Sequence, residues 1–251
     1  MEAMKAIILA AGKGKRLLSE QYDLPKVLRR ANGRPLIRWV LDSLDFLPPS
    51  DIIVVGGYRR EQLFAELGDA YTYAVQEQQL GTGHAVACAR ELLADYDGDV
   101  LVCYGDMPLL SGATYRGMCE SHRSQGNAAT LLTGVTDRAL PYGRIIRDGE
   151  GRFRAIVEER DCTEEQRLIR ERNIGVYIFD CKALFSALGE VQNANAQGEY
   201  YLTDVPGILL RKGRPVGTYS VRDDTEMPGV NTPEELAACE AILRAREEQN
   251  R

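Results

Sequence analysis

The sequence predicts an α/β fold in which helices cover both faces of a mostly parallel β-sheet. Short apolar runs rich in β-branched residues alternate with segments of helix-compatible spacing through the first half of the chain. These runs end at glycine or polar residues, as strands do when they enter ligand-binding loops. The chain has 251 residues, of which 44% are hydrophobic and 27% charged, and this suits one large domain of the soluble globular type.

The first half is predicted to contain four strands and three helices. The strands are predicted at residues 6–9, 52–55, 71–75 and 100–104. The helices are predicted at residues 35–46, 60–67 and 82–93, with Pro35 in a first turn. Because the carboxyl ends of parallel strands meet at one edge of a sheet, the loops after the first, third and fourth strands are expected to open together there.

The second half is predicted to be less regular. Strands are expected at 128–135, 173–179 and 216–221, and a hairpin at 142–146 and 153–157 around the turn 148–151. Helices are expected at 182–188, 202–211 and 234–248, the last begun by Thr232-Pro233. Residues 163–172 are charged and predict an exposed loop or short helix. No internal repeat or linker divides the chain, so one domain over residues 1–251 is expected.

Composition excludes several classes of protein. The net charge of −6 argues against a general nucleic-acid binder, and no apolar run has the length of a membrane span. Residues 1–5 lead straight into a strand without a signal-peptide pattern, so a cytoplasmic location is expected. Six cysteines without a Cys-x-x-Cys pair, and only two histidines, disfavour a zinc site, a disulfide framework and a hydrolase with a histidine base.

A small, cationic loop follows the first strand. Ala10, Ala11 and Gly12 allow the backbone to approach a ligand closely, and Lys13, Lys15 and Arg16 add positive charge where phosphates would lie. Lys26 adds another cation from a loop that can fold back. The loop matches neither the Walker motif nor the full Rossmann glycine fingerprint. An ordinary βα turn is the alternative, but such a turn has no use for three clustered cations.

Two oxygen-bearing side chains could hold a divalent metal. Asp106 follows the fourth strand and a glycine, and a carboxylate at such an edge is well placed to bind Mg²⁺. The alternative, an aspartate that starts a turn, is about equally common. The amide oxygen of Asn231 could complete a magnesium shell, although an Asx turn before the last helix is the more frequent role by itself.

A second glycine-rich loop carries polar side chains that suit a nucleobase. Gln76 and Gln79 each donate and accept hydrogen bonds, as the edge of a base requires, and Gly81 lets the backbone pack against a flat ring. Thr82 could instead be the N-cap of the following helix, and both roles can hold together.

Taken in order, eight short motifs resemble the sugar-1-phosphate nucleotidyltransferases, and among them most closely the bacterial uridylyltransferase (pyrophosphorylase) domains. The motifs are LAAGKGKR (9–16), DLPKVL (23–28), QLGTGHA (79–85), YGDMPLL (104–110), YGRI (142–145), VEERDCTEEQRLIRERNIG (157–175), NAQGEYYLTD (195–204) and GVN (229–231). The resemblance implies the nucleotide-diphospho-sugar transferase fold, which is Rossmann-like. It also implies a nucleotide-binding half of about 1–110, a sugar-binding half of about 111–231 and a C-terminal helix at 232–248.

The resemblance implies an activity and a set of site residues. The reaction would join UTP to N-acetylglucosamine 1-phosphate with Mg²⁺, giving UDP-N-acetylglucosamine and pyrophosphate, with neither nucleic acid nor membrane as a partner. The implied nucleotide-binding residues are Leu9, Ala10, Ala11, Gly12, Lys26, Gln76, Gly81 and Thr82. The implied sugar-binding residues are Tyr104, Gly105, Gly143, Glu158 and Asn173. The implied catalytic residues are Arg16, Lys26 and Asp106, and the implied metal ligands are Asp106 and Asn231.

The chain departs from the family pattern at three places, and other functions remain open. Lys15 and Ile174 each stand where the family usually has threonine, and the segment 17–23 is longer than usual. Ile174 touches the sugar pocket, so dTTP or UTP with glucose 1-phosphate is an alternative pair. A non-catalytic nucleotide-sugar sensor is a second alternative, and an NAD-binding oxidoreductase a third. Since a second, acetyltransferase part found in related enzymes is not seen, no acetyl transfer is expected.

Overall fold

The computed structural model describes residues 4–249, which form a nine-stranded β-sheet with helices on both faces and a separate two-stranded sheet. The strands in this part of the chain are β1 (Met4–Ala10), β2 (Arg30–Ala31), β3 (Arg34–Pro35), β4 (Ile52–Gly56), β5 (Thr72–Val75), β6 (Asp99–Tyr104), β7 (Ala129–Val135), β8 (Arg144–Arg147), β9 (Phe153–Val157), β10 (Glu171–Asp180) and β11 (Val216–Ser220). The α-helices there are α1 (Leu36–Ser43), α2 (Arg60–Leu67), α3 (Thr82–Ala87), α4 (Gly112–Gln125), α5 (Glu164–Arg167), α6 (Cys181–Leu188), α7 (Asp204–Arg211) and α8 (Pro233–Gln249).

The main sheet is mostly parallel, as predicted. Its strands lie in the order β11-β7-β10-β6-β1-β4-β5, and β8 and β9 form a hairpin attached to β10. Central strand β1 pairs in parallel with β4 and with β6, so that Ile8 lies opposite Val54 on one side and Cys103 on the other. Only β10 runs antiparallel to its neighbours β6 and β7 in that order. The amino end of β10 therefore reaches the edge at which β1 and β6 finish.

Apolar side chains alternate between two core layers along β1. Ile7 is fully buried beneath α3, α6 and α7, whereas Ile8 is fully buried on the opposite face beneath α1, α2 and α4. Successive residues of a strand point to opposite faces, so an unbroken apolar run is what a strand covered on both sides needs. The prediction of helices on both faces is confirmed. No helix within residues 4–249 is both long and apolar enough to cross a lipid bilayer.

Helix α4 is the largest element that the sequence analysis missed, since it assigned no structure to residues 111–127. Most of its residues are polar, which hid a buried stripe at helical spacing. That stripe consists of Tyr115, Met118, Cys119 and His122. Both ends carried recognisable signals: the Ser111 hydroxyl accepts a hydrogen bond from the Thr114 amide at 3.2 Å, and Gly126 adopts a left-handed conformation (φ 61°) after the last turn.

Two shorter elements also differ from the prediction. The helix predicted at 82–93 ends at Ala87, because the chain tightens there: the Ala89 amide bonds to the Val86 carbonyl, three residues back, and a separate 3₁₀ turn follows. The hairpin of β2 and β3 was not predicted, although its turn is Asn32-Gly33, with φ angles of 49° and 76°. Asn-Gly is a strong signal for such a tight hairpin turn.

Candidate functional site

Two clefts open side by side at the carboxyl edge of the sheet. The first, of about 230 Å³, lies over the ends of β1 and β6, and we call it the β1 cleft. It is lined by all eight predicted nucleotide-binding residues: Leu9, Ala10, Ala11, Gly12, Lys26, Gln76, Gly81 and Thr82. The second, of about 170 Å³, lies against the β8–β9 hairpin, and we call it the hairpin cleft. Tyr104 and Asp106 line both clefts, so the two meet at the end of β6.

The hairpin cleft contains four of the five predicted sugar-binding residues. Its walls include Tyr104, Gly143, Glu158 and Asn173, together with Asn231. Gly105 does not line it: its amide donates to the Leu9 carbonyl at 3.0 Å, and a Cβ on Gly105 would lie 3.0 Å from the side chain of Val27. Gly105 is therefore packed against β1 and Val27 and does not form part of the wall of the hairpin cleft.

A compact group of charged and amide side chains lies where the clefts meet. The Lys26 ammonium contacts the Asp106 carboxylate directly and donates to Asn231 Oδ1 at 2.7 Å. Arg16 Nη2 donates to the same Asn231 oxygen at 3.1 Å. The Lys26 and Asp106 side chains are only 12% and 18% exposed. The predicted catalytic and metal-binding residues are thus brought together from four separate segments of the chain.

Local structure explains why Lys26 reaches this point. Lys26 begins a short 3₁₀ turn whose next two residues, Val27 and Leu28, are buried and fix the turn against the core. Gly14 lies against it in the left-handed region (φ 65°), and a Cβ there would meet Ser19 Oγ at 2.6 Å and Lys26 Cβ at 2.7 Å. Only glycine fits this close approach without displacing its neighbours. The cationic loop and the lysine therefore pack as one unit.

The backbone just after β6 binds the segment that carries Asn231 and brings it to Asp106. The Val230 amide donates to the Asp106 carbonyl at 2.9 Å, which places Asn231 beside the Asp106 side chain. The amides of Asn231 and Thr232 donate to the Glu235 carboxylate at 2.6 and 3.1 Å, so the first turn of α8 also binds this segment. The segment that carries Asn231 is thus bound at Asp106 on one side and at Glu235 on the other.

The polar loop after β5 forms the far wall of the β1 cleft. Gln76 is buried, donates to the Gly81 carbonyl at 3.0 Å and contacts His84 Nδ1 at 3.1 Å. Gln79 donates to the Ala11 carbonyl at 2.7 Å and ties this wall to the loop after β1. Thr82 is the first residue of α3 rather than its N-cap, and its hydroxyl accepts from the Leu202 amide at 3.0 Å. The N-cap role considered for Thr82 is therefore wrong, because the hydroxyl is used by a distant segment.

Gly81→Ala is expected to destabilise the fold by at least about 2 kcal/mol. Gly81 has φ 113°, and a Cβ there would lie 2.6 Å from the Tyr200 carbonyl oxygen and 2.8 Å from the Tyr200 amide nitrogen. Backbone atoms cannot rotate away as a flexible side chain can. Thermal and urea unfolding measure the effect. Gly12→Ala is the matched control and should unfold like the parent, because no atom lies within 4 Å of its Cβ position; equal stability of both variants would contradict the prediction.

The partly buried carboxyl group of Glu158 in the hairpin cleft has a shifted pKa. Burial raises its pKa above the ordinary 4.5, and the hydrogen bond that Thr203 Oγ1 donates at 3.0 Å offsets part of that rise. Nearby, Asn173 Nδ2 donates to the Tyr177 hydroxyl at 2.6 Å, which fixes the amide in the cleft wall. A carboxylate and an oriented amide are suited to bind the hydroxyl and amide groups of a polar ligand.

Glu158→Gln is expected to raise the melting temperature at neutral pH. Because the folded-state pKa exceeds the unfolded value, the native protein binds the extra proton, and stability falls as the pH rises through that window. The loss of stability caused by ionising Glu158 is complete above the folded-state pKa and absent below about 4.5. Melting temperatures measured from acid to neutral pH should therefore diverge with rising pH. A variant that is less stable than the parent at neutral pH would show that ionised Glu158 stabilises the fold.

Tyr142 and Thr203 are site residues that the sequence analysis did not single out. Tyr142 lines the hairpin cleft and bonds to the segment before Asn231, and Thr203 lines the same cleft while it holds Glu158. Both lie within motifs that carry the family resemblance, YGRI and NAQGEYYLTD. That membership was the available signal, because their partners are 85 and 45 residues away in the sequence.

The residues at the junction fit a divalent metal. Within residues 4–249 there is no group of three histidine, cysteine, aspartate or glutamate side chains that could hold a metal alone. Asp106 and Asn231 offer one anionic and one neutral oxygen, and the Lys26 ammonium bonds to both, so the position between them accepts positive charge. Magnesium takes one or two such protein oxygens and completes its shell with water and phosphate oxygens.

Comparisons with known proteins show which proteins this chain resembles. The chain is 44% identical to the bifunctional protein GlmU of Acetivibrio thermocellus and 46% identical to that of Heliobacterium modesticaldum, each over 98% of this chain and 53% of that protein. It therefore spans about half the length of these curated relatives.

Two solved structures share the fold. One is a putative glucose-1-phosphate thymidylyltransferase from Bacillus anthracis, with a TM-score of 0.74 at 23% identity over 96% of both chains. The other is a UDP-glucose pyrophosphorylase complexed with UDP-glucose, with a TM-score of 0.75 at 17% identity over 97% of this chain and 99% of that one. The model of the MobA-like NTP transferase domain matches residues 6–196. The chain belongs to the family of MobA-like NTP transferase domains.

Proposed function

We propose that this protein transfers the uridylyl group of UTP to N-acetylglucosamine 1-phosphate and so forms UDP-N-acetylglucosamine and pyrophosphate. The observation that carries the proposal is the meeting of the β1 cleft and the hairpin cleft at Asp106, where Lys26, Arg16 and Asn231 converge. Two anionic substrates can lie in adjoining clefts with cationic side chains at the junction. The motifs shared with the uridylyltransferases support the choice of substrates.

The reaction needs positioning and charge neutralisation more than acid–base chemistry. A phosphate oxygen of the sugar 1-phosphate attacks the α-phosphorus of UTP, a new P–O bond forms, and the bond to the β-phosphate oxygen breaks. The electron pair leaves with pyrophosphate. The nucleophile is already an anion, so no general base has to remove a proton. The barrier comes from bringing two polyanions together in line, and oriented cations lower it.

The clefts suggest how the substrates divide the site. The nucleotide would lie in the β1 cleft, with Gln76, Gly81 and Thr82 at the uracil and the backbone of residues 9–12 along the ribose and phosphates. The sugar would lie in the hairpin cleft against Gly143, Glu158 and Asn173. Tyr104, which lines both clefts, would separate the two substrates.

The junction residues would hold the metal and the phosphates. Asp106 and Asn231 would bind Mg²⁺, which when bound neutralises and orients phosphate oxygens. Lys26 would move from these two oxygens to the phosphates, and Arg16 would bind the pyrophosphate that leaves. We also infer a cytoplasmic location, because UTP is a cytoplasmic metabolite, and a product that serves as a cell-wall precursor.

A panel of substrates tests the proposal. Pyrophosphate release would be measured with UTP or dTTP, each with N-acetylglucosamine 1-phosphate or glucose 1-phosphate, in the presence of Mg²⁺. The pair UTP and N-acetylglucosamine 1-phosphate is expected to give the highest kcat/KM. No turnover on any pair, combined with calorimetric binding of a nucleotide sugar, would instead support the non-catalytic sensor.

One observation keeps glucose 1-phosphate as a second candidate acceptor. Ile174, which replaces the usual threonine, lines the hairpin cleft between Asn173 and Gly175 and is 3% exposed. Its side chain cannot donate or accept a hydrogen bond to an N-acetyl group. A kcat/KM that is higher with glucose 1-phosphate than with N-acetylglucosamine 1-phosphate would decide for this candidate.

A further inference from the structure

The hydroxyl group of Tyr142 bridges two backbone groups of the segment that leads to Asn231. The Gly229 amide donates to Tyr142 Oη at 2.7 Å, and Oη donates to the Met227 carbonyl at 3.1 Å. One phenol can serve both partners only while it is protonated. A tyrosine hydroxyl is protonated at neutral pH, and burial raises the pKa of Tyr142 further above its usual range.

The remainder of this segment is held by groups at its other end. The Val230 amide bonds to the Asp106 carbonyl, and the Asn231 amide bonds to Glu235 Oε2. Tyr142 thus holds residues 227–229, while Asp106 and α8 hold residues 230–232. The position of Asn231 Oδ1, the neutral oxygen of the proposed metal site, depends on both anchors.

Tyr142 also belongs to the wall of the hairpin cleft. It precedes Gly143, whose carbonyl accepts from the Asn173 amide at 2.8 Å, and it lines the cleft with Glu158 and Asn173. A ligand seated in this cleft would press on the same residue whose hydroxyl fixes the Asn231 segment. The ring and the hydroxyl of one side chain therefore connect the acceptor side of the site to its metal side.

We propose that Tyr142 is a positioning residue that sets Asn231 for metal binding and couples occupancy of the hairpin cleft to metal affinity. This inference rests on the proposed function for its substrates. Tyr142 acts through Asn231, because its hydroxyl is engaged by the Gly229 amide and the Met227 carbonyl. Groups that orient a metal ligand commonly change metal affinity about tenfold or more when they are removed.

Titration with Mn²⁺, followed by its electron paramagnetic resonance signal, tests the proposal without turnover. Carboxylate and amide oxygens that suit Mg²⁺ also bind Mn²⁺. With UTP present, Tyr142→Phe is expected to bind Mn²⁺ about tenfold more weakly than the parent. Without metal, its affinity for N-acetylglucosamine 1-phosphate should stay close to that of the parent, because the ring that lines the cleft is retained. With the metal bound, that affinity should fall by the same factor by which the acceptor no longer strengthens Mn²⁺ binding, since coupling between two sites is reciprocal. Tyr142→Leu, which also removes the ring, should weaken acceptor binding without metal as well.

Tyr96→Phe is the matched control. Tyr96 Oη also donates to a backbone carbonyl at 3.1 Å, that of Asp99, but at the opposite end of β6 from the clefts. Its removal should leave the affinities for Mn²⁺ and for N-acetylglucosamine 1-phosphate unchanged. A loss of Mn²⁺ affinity in this variant equal to that in Tyr142→Phe would overturn the proposal, because the effect would then be a general one on stability.

The unaltered protein supplies an independent measurement. Its Mn²⁺ affinity should increase when a non-reacting pair, UMP and N-acetylglucosamine 1-phosphate, fills the clefts, and Tyr142→Phe should lose that increase. Absence of the increase in the unaltered protein, or parental Mn²⁺ affinity in Tyr142→Phe, would overturn the inference while turnover on the substrate panel still upheld the proposed function. No turnover with any substrate pair would instead contradict the proposed function, whatever the result of the Mn²⁺ titration.

Discussion

Asp106→Asn is expected to lower the rate of pyrophosphate release from UTP by roughly a hundredfold or more, which corresponds to about 3 kcal/mol. Lys26 donates to one oxygen of Asp106 and to one of Asn231. The substitution keeps the shape of the Asp106 side chain but removes its negative charge. Without that charge the metal would be held far more weakly. Initial rates in Mg²⁺, together with the melting temperature, measure the effect, and the melting temperature should change little.

A control for this change lies on the same strand. Asp99 begins β6, whereas Asp106 lies just beyond its end, so Asp99→Asn removes one carboxylate from the opposite edge of the sheet. The rate of this variant should stay close to that of the parent. Near-normal turnover by Asp106→Asn would show that Asp106 is not a ligand of the metal. A large fall in both variants would point to net charge rather than to a specific ligand.

Lys26→Met is expected to lower the same rate by about a hundredfold through a different cause. Methionine retains most of the stem that packs near Gly14, but it cannot donate to Asn231 or neutralise a phosphate. Mn²⁺ binding separates the two variants: Asp106→Asn should weaken it, whereas Lys26→Met should not, because the ammonium shares the oxygens that a metal would need. Rates, Mn²⁺ titrations and melting temperatures are the measurements.

Lys5→Met is the matched control for the lysine. Lys5 pairs with Asp51 at 3.1 Å near the amino end of β1, away from both clefts. This variant should keep its activity. If Lys26→Met instead melts at a much lower temperature than the parent, the lysine is structural, and the turn at residues 26–28 depends on its ion pair.

The fold was predictable where burial is simple. Runs such as 52–55 are buried on both sides and consist of β-branched residues, so apolar content alone located β4 within one residue. Helix α2 was placed at its observed bounds. Helix α4 was missed because its buried stripe is carried by a mainly polar sequence, and the break after Ala87 was missed because it depends on local hydrogen bonding.

The candidate site was predictable to the extent that it depends on strand ends and motifs. The sequence placed the β1 loop, the Gln76 loop and Asp106 at one edge, and the structure brings them to one cleft. It could not place Arg16 beside Asn231, which is 215 residues away, or assign Tyr142 a partner. Such contacts follow from the tertiary fold, because no local spacing relates the segments that make them.

The reversed direction of β10 has a consequence for how acceptor choice could vary between related proteins. Since β10 alone runs against its neighbours in the main sheet order, its first residues, from Glu171 to Asn173, reach the rim, and the β8–β9 hairpin joins it through the pairing of Arg172 with Arg144. The hairpin also packs on the core through Ile145, Phe153 and Ile156, so its strands are fixed and its outer turn, residues 148–151, is the part whose length can differ. Changes there and on the cleft side of the hairpin would alter the acceptor site without disturbing the parallel strands that would bind the nucleotide.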